Sequence, residues 1–292
     1  MKLYIGVCEK CNRDCFYCST QKNFTYSILN NSNIEKIIYC AKEVFNIDEV
    51  IYSGGEPLLL DNLPQLIYNI GNEFPEVLQV IETNGSEELV IEEIIKKMKG
   101  RIKFRISLSA PDGDVLEKIT PEGAYSKVRN NIFTIETSGI PIDLHYVLVK
   151  TVNSDYHIIK KYIDQYTKSQ YIDIYFDEIH CDRINNLSPL EYKNSFEEFD
   201  MTMKKLLFHM VGEKDFISEY KNNDGKRVFF KKDRCNYECD ICLLETHSIA
   251  FTSEGYLRKC SLFNDFQQIQ ILDMSRENLL KEMYCFKNQY FG

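Results

Sequence analysis

The sequence predicts an α/β fold built around a parallel sheet. Short apolar runs with strand character alternate with amphipathic helical patterns from the first residue to about residue 180. Six consecutive strand-then-helix steps favour parallel strands joined by right-handed crossovers. The 292 residues are enough for one large α/β domain with an extension, or for two domains. The residues alone are compatible with an open doubly wound sheet or with a barrel of fewer than eight strands.

The predicted strands are short apolar runs, each followed by a helical pattern. The first helix has apolar residues at helical spacing from Ile34 to Phe45, with Ser32 and Glu35 as its capping box. Ser86 is predicted to cap a helix that ends at Gly100, and Gly139 to end another. Strands are predicted at 2–7, 49–53, 77–82, 102–108, 141–149 and 171–176, and further helices at 63–74, 125–138 and 155–167.

After residue 180 the alternation stops. Ser188 and Pro189 begin a predicted helix whose apolar stripe continues to Met210. Two short runs, 249–252 and 256–259, flank Ser253-Glu254-Gly255 and indicate a hairpin. A last helix is predicted at 276–286. The chain is therefore divided into a first domain at 1–180, a helical connector at 181–225 and a cysteine-rich domain at 226–292.

Composition and charge exclude several classes of protein. Lys and Arg number 35 against 44 Asp and Glu, a formal net charge of −9 that disfavours a nucleic-acid binder. No apolar run is long enough to span a membrane, and the start of the chain does not resemble a signal peptide. A cytoplasmic location is expected. There, the 11 cysteines are expected to be metal ligands or reactive groups rather than disulfides.

Three cysteines follow the first strand at short spacing. Cys11, Cys15 and Cys18 are separated by three and two residues, as in a loop that wraps one metal centre. Three thiolates without a fourth at matching spacing suit a 4Fe-4S cluster that keeps one iron open. Zinc is the alternative, and Cys8 is a candidate fourth ligand.

Polar and glycine-rich segments end the next three strands. Ser53-Gly54-Gly55-Glu56-Pro57, Thr83-Asn84-Gly85 and Ser107-Leu108-Ser109 all fall on the carboxyl edge, where parallel α/β folds build their sites. Two glycines allow a close approach of the backbone, and a carboxylate attracts an ammonium group.

Together with Tyr17, which stands directly before Cys18, these motifs resemble the radical S-adenosylmethionine (SAM) superfamily. The resemblance implies a partial (β/α)6 TIM-like barrel and a 4Fe-4S cluster on Cys11, Cys15 and Cys18. It implies reductive cleavage of SAM to a 5′-deoxyadenosyl radical that abstracts a hydrogen atom from substrate. The SAM-binding residues that it implies are Tyr17, Gly54, Gly55, Glu56, Thr83, Asn84, Ser107, Ser109 and Lys150.

Within the superfamily, the stretches 54–60, 106–120 and 147–153 look like the GTP 3′,8-cyclases of molybdopterin synthesis. The sequence departs from the cyclase pattern at three places. At the end of the sixth strand, Tyr175 stands where the cyclases have an arginine. The arginine-rich stretch and di-glycine tail of the cyclases are not matched either. These departures argue against GTP as the substrate.

A second group of cysteines lies in the C-terminal domain. Cys235, Cys239, Cys242 and Cys260 resemble the twitch-type auxiliary domain of several radical SAM enzymes. The resemblance implies a second 4Fe-4S cluster. A structural zinc site is the alternative, because four thiolates are what structural zinc takes.

Catalytic side chains are suggested only by position. Cys181 and Cys8 are candidates for a thiol that returns a hydrogen atom to a substrate radical, as some radical SAM epimerases do. His180 lies beside Cys181 at the predicted barrel mouth. Cys40 and Cys285 are expected to be buried, inert thiols.

The expected substrate is a ribosomally made peptide that is crosslinked, given a thioether or epimerised. A small molecule such as a nucleotide or sugar is the alternative, and a non-catalytic electron-transfer or assembly protein is the third. The chain begins at the first strand, so a peptide would call for a separate recognition protein. Expected electron donors are flavodoxin or ferredoxin. The basic run Lys226, Arg227, Lys231, Lys232 and Arg234 is a candidate docking surface for such a donor, a substrate-anion site or a solvated face.

Overall fold

The six predicted strands form the centre of one sheet. The computed structural model describes residues 1–18, 28–120, 124–178, 196–214, 217–232, 248–258 and 269–291. The six are all parallel and adjacent in chain order. They are β1 Lys2–Cys8, β2 Glu49–Gly54, β3 Leu78–Thr83, β4 Arg101–Ser107, β5 Ile142–Leu148 and β6 Ile172–Glu178.

Helices connect these strands, as the βα pattern predicts. Asn30 rather than Ser32 caps the first helix, because its side chain accepts the Asn33 N–H at 2.8 Å. Glu87 rather than Ser86 precedes the third helix. The helices are α1 Asn31–Val44, α2 Leu63–Glu73, α3 Glu88–Lys97, α4 Gly113–Glu117, α5 Tyr125–Thr137, α6 Tyr156–Tyr166, α7 Phe196–Lys205 and α8 Arg276–Tyr290.

Strands from the second half of the chain extend this sheet at both ends. β9 (Arg227–Lys231) pairs in parallel with β6, and β10 (Ser248–Phe251) pairs in parallel with β1. The predicted hairpin is confirmed as the antiparallel pair of β10 and β11 (Tyr256–Arg258). These strands are β7 Phe208–Lys214, β8 Ile217–Asn222, β9 Arg227–Lys231, β10 Ser248–Phe251, β11 Tyr256–Arg258 and β12 Ile269–Gln270. In the described part of the chain the order is β12-β11-β10-β1-β2-β3-β4-β5-β6-β9-β8-β7, so β12 and β7 form its two edges.

The long helix predicted from residue 188 to Met210 ends early. Phe199 and Met203 are buried on α7 as predicted, but α7 stops at Lys205. Leu207 then takes a left-handed backbone conformation (φ 63°), and β7 begins at the next residue. Of the connector expected at 181–225, the described residues are therefore helical only on α7, because β7 and β8 follow it. Residues 179–195 lie outside the description.

The two faces of the central strands differ in chemistry. Side chains alternate along a strand, and one set packs under the helices as a continuous apolar core. Leu3, Ile5, Phe104, Leu144 and Phe176 belong to this set and are fully buried. We call the opposite set, on β1–β6 and β9, the inner face.

Two cysteines outside the predicted metal-binding groups lie on helices. Cys40 is buried in α1, as expected. Cys285 is exposed on α8, so the expectation that it is buried is wrong. No helix among the described residues has the length and apolar character to cross a membrane.

Candidate active site at the carboxyl edge of the sheet

The cysteine loop leaves the end of β1. Cys11, Cys15 and Cys18 are free thiols, and a turn joins the last two through a bond from the Cys18 N–H to the Cys15 carbonyl at 3.0 Å. Burial raises the pKa of Cys11, and burial followed by the nearby Cys18 raises the pKa of Cys15 to about 11. Such thiols need a cation to become thiolates near neutral pH.

These three donors fit an iron–sulfur cluster. In the described residues no three His, Cys, Asp or Glu side chains converge as a single metal ion would require. A cluster differs from a single ion because it offers each thiolate a separate iron. Burial disfavours bare thiolates, so a bound cation is needed to offset their charge. Three soft sulfur donors also form a ligand set that suits an iron–sulfur cluster. Cys11, Cys15 and Cys18 would hold the cluster, which would bind SAM at its open iron.

The double glycine brings this loop against the end of β2. The Gly55 N–H donates to the Cys8 carbonyl at 2.7 Å, and the Glu56 N–H donates to the Lys10 carbonyl at 2.8 Å. A Cβ on Gly54 would lie 2.2 Å from the Cys8 oxygen, and one on Gly55 would lie 2.3 Å from the Lys10 oxygen. Glycine is required at both positions because the loop backbone occupies the space of a side chain.

Glu56 joins the ends of β2 and β3. Its Oε1 accepts from the Thr83 hydroxyl at 2.6 Å and from the Leu58 N–H at 3.0 Å. Its Oε2 accepts from the Asn84 N–H at 2.7 Å. The side chain is fully buried, and burial raises its pKa despite these hydrogen bonds. Its predicted bond to the SAM amino group stays a prediction.

A chain of amide groups ties the cysteine loop to β3. The Asn84 amide donates to the Asn12 side chain at 2.7 Å, and Asn12 donates to Ser86 at 2.9 Å and to Glu87 at 2.7 Å. The loop is therefore positioned from both neighbouring strand ends.

Tyr17 and Ser109 meet on the other side of the loop. Their hydroxyl oxygens are 3.2 Å apart, and Ser109 Oγ also accepts the Val147 N–H at 2.9 Å. Asn153 donates to the Ser109 carbonyl at 2.8 Å and fixes the turn after β5. Ser107, the last residue of β4, lies two residues before Ser109 and is exposed. We call this edge, from the cysteine loop to Ser109, the rim.

Other predicted site residues lie apart from these contacts. Lys150 forms an ion pair with Glu198 of α7 at 2.5 Å. The Cys8 thiol is buried, and its Sγ lies 3.3 Å from the Glu56 carbonyl oxygen. His180, Cys181 and the second cysteine group of Cys235, Cys239, Cys242 and Cys260 fall outside the described residues, so these assignments stay predictions.

Arg13 is a rim residue that the sequence reasoning missed. Its side chain is 6% exposed, and neither Nε nor Nη2 has a hydrogen-bond partner among the described residues. The guanidinium lowers the pKa values of Cys15 and Glu56, whose largest shifts come from burial. A buried guanidinium with two unpartnered nitrogens fits a site that receives anionic thiolates and a carboxylate. Its only sequence signal is its position inside the cysteine loop.

The inner face carries charged pairs that were also missed. Arg105 pairs with Glu82, and Lys103 bonds to both oxygens of Asp143 at 3.0 and 3.1 Å. His145 Nδ1 lies 2.6 Å from Asp177 Oδ2. Burial raises the pKa of Asp177, but His145 and then Lys231 outweigh it, so the net pKa is lowered.

The basic run joins this face in part. Arg227 makes two bonds of 3.1 Å to Asp173, and Lys231 lies 3.9 Å from Asp177. Lys232 pairs with Glu213 at 2.9 Å. These cations therefore have intramolecular partners. Docking of an electron donor on the run stays a prediction.

The sequence is similar to those of known enzymes. The model of the radical SAM superfamily matches residues 5–162. A GTP 3′,8-cyclase from Listeria welshimeri is 30% identical over 286 residues, or 91% of this chain and 80% of that protein. A probable GTP 3′,8-cyclase from Methanococcus aeolicus is 28% identical over 281 residues, or 90% of this chain and 86% of that protein.

Solved structures share the fold. SuiB of Streptococcus suis bound to S-adenosylmethionine matches with a TM-score of 0.71 at 14% identity, over 100% of this chain. The chain spans 66% of the length of SuiB. The structure of anSMEcpe with bound AdoMet matches with a TM-score of 0.66 at 13% identity, over 100% of this chain and 84% of that one. The predicted α/β fold is confirmed, and the superfamily model covers more than half of the chain. This protein is an enzyme of the radical SAM superfamily.

Proposed function

We propose that this enzyme abstracts a hydrogen atom from a small polar molecule held on the inner face of the sheet. When bound, the reduced cluster supplies the electron that cleaves SAM to a 5′-deoxyadenosyl radical. The residues of the chain then hold SAM at the rim and the substrate below it, and keep water from the radical.

The inner face is the observation that carries this proposal. Below the rim it presents charges of both signs, including Arg105 with Glu82, Lys103 with Asp143 and His145 with Asp177. An apolar substrate would take water away from these partly buried ion pairs without replacing its hydrogen bonds, which is costly. A small molecule with several hydrogen-bonding groups can replace the water that these groups lose.

The sequence comparisons support the same substrate class. The relatives named GTP 3′,8-cyclase align with about nine tenths of this chain. Tyr175 in place of the expected arginine favours a substrate other than GTP itself. The peptide substrate favoured by the sequence is the alternative outcome of the test.

The test measures 5′-deoxyadenosine. Anoxically reconstituted enzyme is incubated with SAM and dithionite, with a panel of nucleotides and sugar phosphates in one arm and a peptide library in the other. We expect a compound of the first arm to raise 5′-deoxyadenosine at least about tenfold over the uncoupled rate. Transfer of deuterium from the labelled compound into 5′-deoxyadenosine would identify the abstracted hydrogen. Stimulation only by peptides would overturn the proposal.

The second cluster is part of the proposal. Cys235, Cys239, Cys242 and Cys260 would hold it, and a flavodoxin or ferredoxin would supply electrons. Two 4Fe-4S clusters give roughly eight irons per chain, whereas zinc in the second site gives roughly four irons and one zinc. Metal analysis of protein purified without oxygen decides between them. Clusters and free thiols also suit a reducing compartment, which is why we expect the cytoplasm.

A further inference from the structure

Three aromatic rings form a stacked column across the inner face. His145 and Tyr175 are 5.1 Å apart with an interplanar angle of 6°, and Tyr175 and Phe229 are 4.7 Å apart at 15°. The three residues are direct cross-strand neighbours on β5, β6 and β9. The rings therefore follow the strand spacing of about 4.8 Å, which is also a comfortable spacing for offset stacking.

A cation lies beside the Phe229 end of the column. The Arg227 guanidinium lies 5.5 Å from the centre of the Phe229 ring, and Asp173 of β6 holds that guanidinium with two hydrogen bonds. A cation over an aromatic face is attracted by the ring electrons. This contact adds to the stacking on Tyr175 that holds Phe229 in the column.

The His145 end of the column faces β4. The next strand position beyond His145 is Ser107 of β4, its register partner. Ser107 has a small side chain and is exposed, and the His145 side chain is 14% exposed. Among the described residues, Tyr175 is the one ring that stacks on His145. We call the face of His145 on the Ser107 side its open face, because only a small side chain opposes it there.

Two contacts fix the orientation of the His145 ring. Its Nδ1 lies 2.6 Å from Asp177 Oδ2, and the stack with Tyr175 fixes the plane of the imidazole. A ring whose orientation is fixed before binding loses little freedom when a ligand stacks on it.

The open position also lies at a useful distance from the rim. Val147 is two residues beyond His145 on β5, and its N–H is bonded to Ser109, which contacts Tyr17. Two residues of a strand span about 6.6 Å. A substrate at His145 would therefore lie next to the predicted SAM site and not within it.

We propose that the open face of His145 is a stacking subsite for a flat heteroaromatic ring of the substrate, of the nucleobase type. This inference rests on the proposed function, because it names the class of small polar molecule that the inner face holds. His145 is its positioning residue, and the column behind it supplies rigidity.

Equilibrium dialysis tests the subsite without turnover. The reconstituted enzyme is saturated with SAM and left unreduced, so that the adenosine part of SAM fills its own site. The probes are inosine and GTP, which carry a base, and ribose 5-phosphate, which does not. Loss of base stacking on an aromatic residue corresponds to about 5- to 150-fold in affinity. We expect His145→Ala to weaken inosine and GTP by that factor and to leave ribose 5-phosphate unchanged.

Two further variants identify stacking as the cause. His145→Phe keeps a flat ring and loses the bond to Asp177, so it should restore inosine binding to within about threefold of the wild type. His157→Ala removes an exposed histidine of α6 and is the matched control. Wild-type affinity in His145→Ala, or no restoration by His145→Phe, would overturn the subsite. Base binding that depends on His145, without any nucleotide or sugar phosphate that stimulates 5′-deoxyadenosine formation, would leave the subsite in place and refute the proposed function.

Discussion

The rim and the inner face each bury a carboxylate, and the two carboxylates are stabilised in different ways. Glu56 on the rim accepts two backbone N–H groups and one hydroxyl, and burial still raises its pKa. Asp177 on the inner face is opposed by the same burial effect, but His145 and Lys231 lower its pKa overall. The hydrogen bonds to Glu56 come from neutral donors, whereas Asp177 is stabilised by charged partners.

Because of this difference, the two regions require different sequence patterns. Backbone donors come from the strand ends themselves, so the rim requires short local motifs of fixed order. The charged pairs of the inner face join residues that are 23 to 54 positions apart in the chain. Under the proposed function, the rim would hold the cofactor shared by the superfamily, and the inner face would hold the substrate that differs between its members.

The largest effect is expected at the cysteine loop. Cys15→Ala should reduce SAM cleavage at least about a thousandfold, because a cluster with only two remaining thiolates is not held. Chromatographic measurement of 5′-deoxyadenosine under dithionite checks this, together with a loss of roughly four irons per chain. Cys285→Ala removes an exposed thiol of α8 and is the matched control. Full cleavage activity in Cys15→Ala would contradict the assignment of the cluster.

The second effect tests how the rim is packed. Gly55→Ala places a Cβ within 2.3 Å of the Lys10 oxygen, so the loop must move. We expect a loss of about 1–3 kcal/mol in the free energy of unfolding and a lower iron content. Gly212→Ala is the control, because no atom lies within 4 Å of the added carbon. Urea unfolding of the two variants should separate them, and equal stability would show that the close approach does not constrain the loop.

The third effect compares the two carboxylates directly by their pH dependence. The lowered pKa of Asp177 contributes stability that is present above the normal carboxyl pKa and is lost as the pH falls through the native pKa. The raised pKa of Glu56 has the opposite sign, because its contribution is present at low pH and is lost as the pH rises through the native pKa.

Unfolding of the apo protein between about pH 7 and about pH 3 measures both slopes. Asp177→Asn should cost about 1–3 kcal/mol at neutral pH and less in acid. Glu56→Gln should lose relatively less stability at neutral pH than in acid. If the two variants changed with pH in the same direction, the contrast between the two regions would be wrong.

The smallest effect is expected from one hydroxyl group. Tyr17→Phe removes the contact with Ser109 and should cost about 0.5–1.5 kcal/mol of stability while the ring remains in place. Tyr284→Phe removes a hydroxyl from an exposed side chain and should change stability by less than about 0.5 kcal/mol. Thermal unfolding measures both. A cost in Tyr17→Phe no larger than in the control would mean that the hydroxyl contact contributes nothing.

The sequence predicted the central strands and the β10–β11 hairpin well, but it did not predict β7, β8, β9 or β12. The six strands of the barrel lie within one or two residues of their predicted positions, because apolar runs alternate with helical patterns. The sequence predicts helix in the segment that forms β7, because Leu206 and Met210 continue a helical spacing from Phe199. Pairing with β8 decides the conformation there, and local spacing does not report pairing with a distant strand.

The candidate site divides in the same way. Cys11, Cys15, Cys18 and the motifs ending β2 and β3 could be found from the sequence because each is contiguous. Arg13, His145 and Asp177 could not, since nothing beside them in the chain marks them as buried or paired. The functions assigned to Cys181, His180 and the second cysteine group stay predictions.

The sequence by itself determined the superfamily and its rim, because hydrogen-bonded strand ends and a metal-binding loop need particular residues at neighbouring positions. The tertiary structure alone decided the inner face, where side chains from five strands meet only after the sheet has formed. The physical reason is range: backbone geometry acts over a few residues, whereas ion pairs and stacked rings depend on strand register.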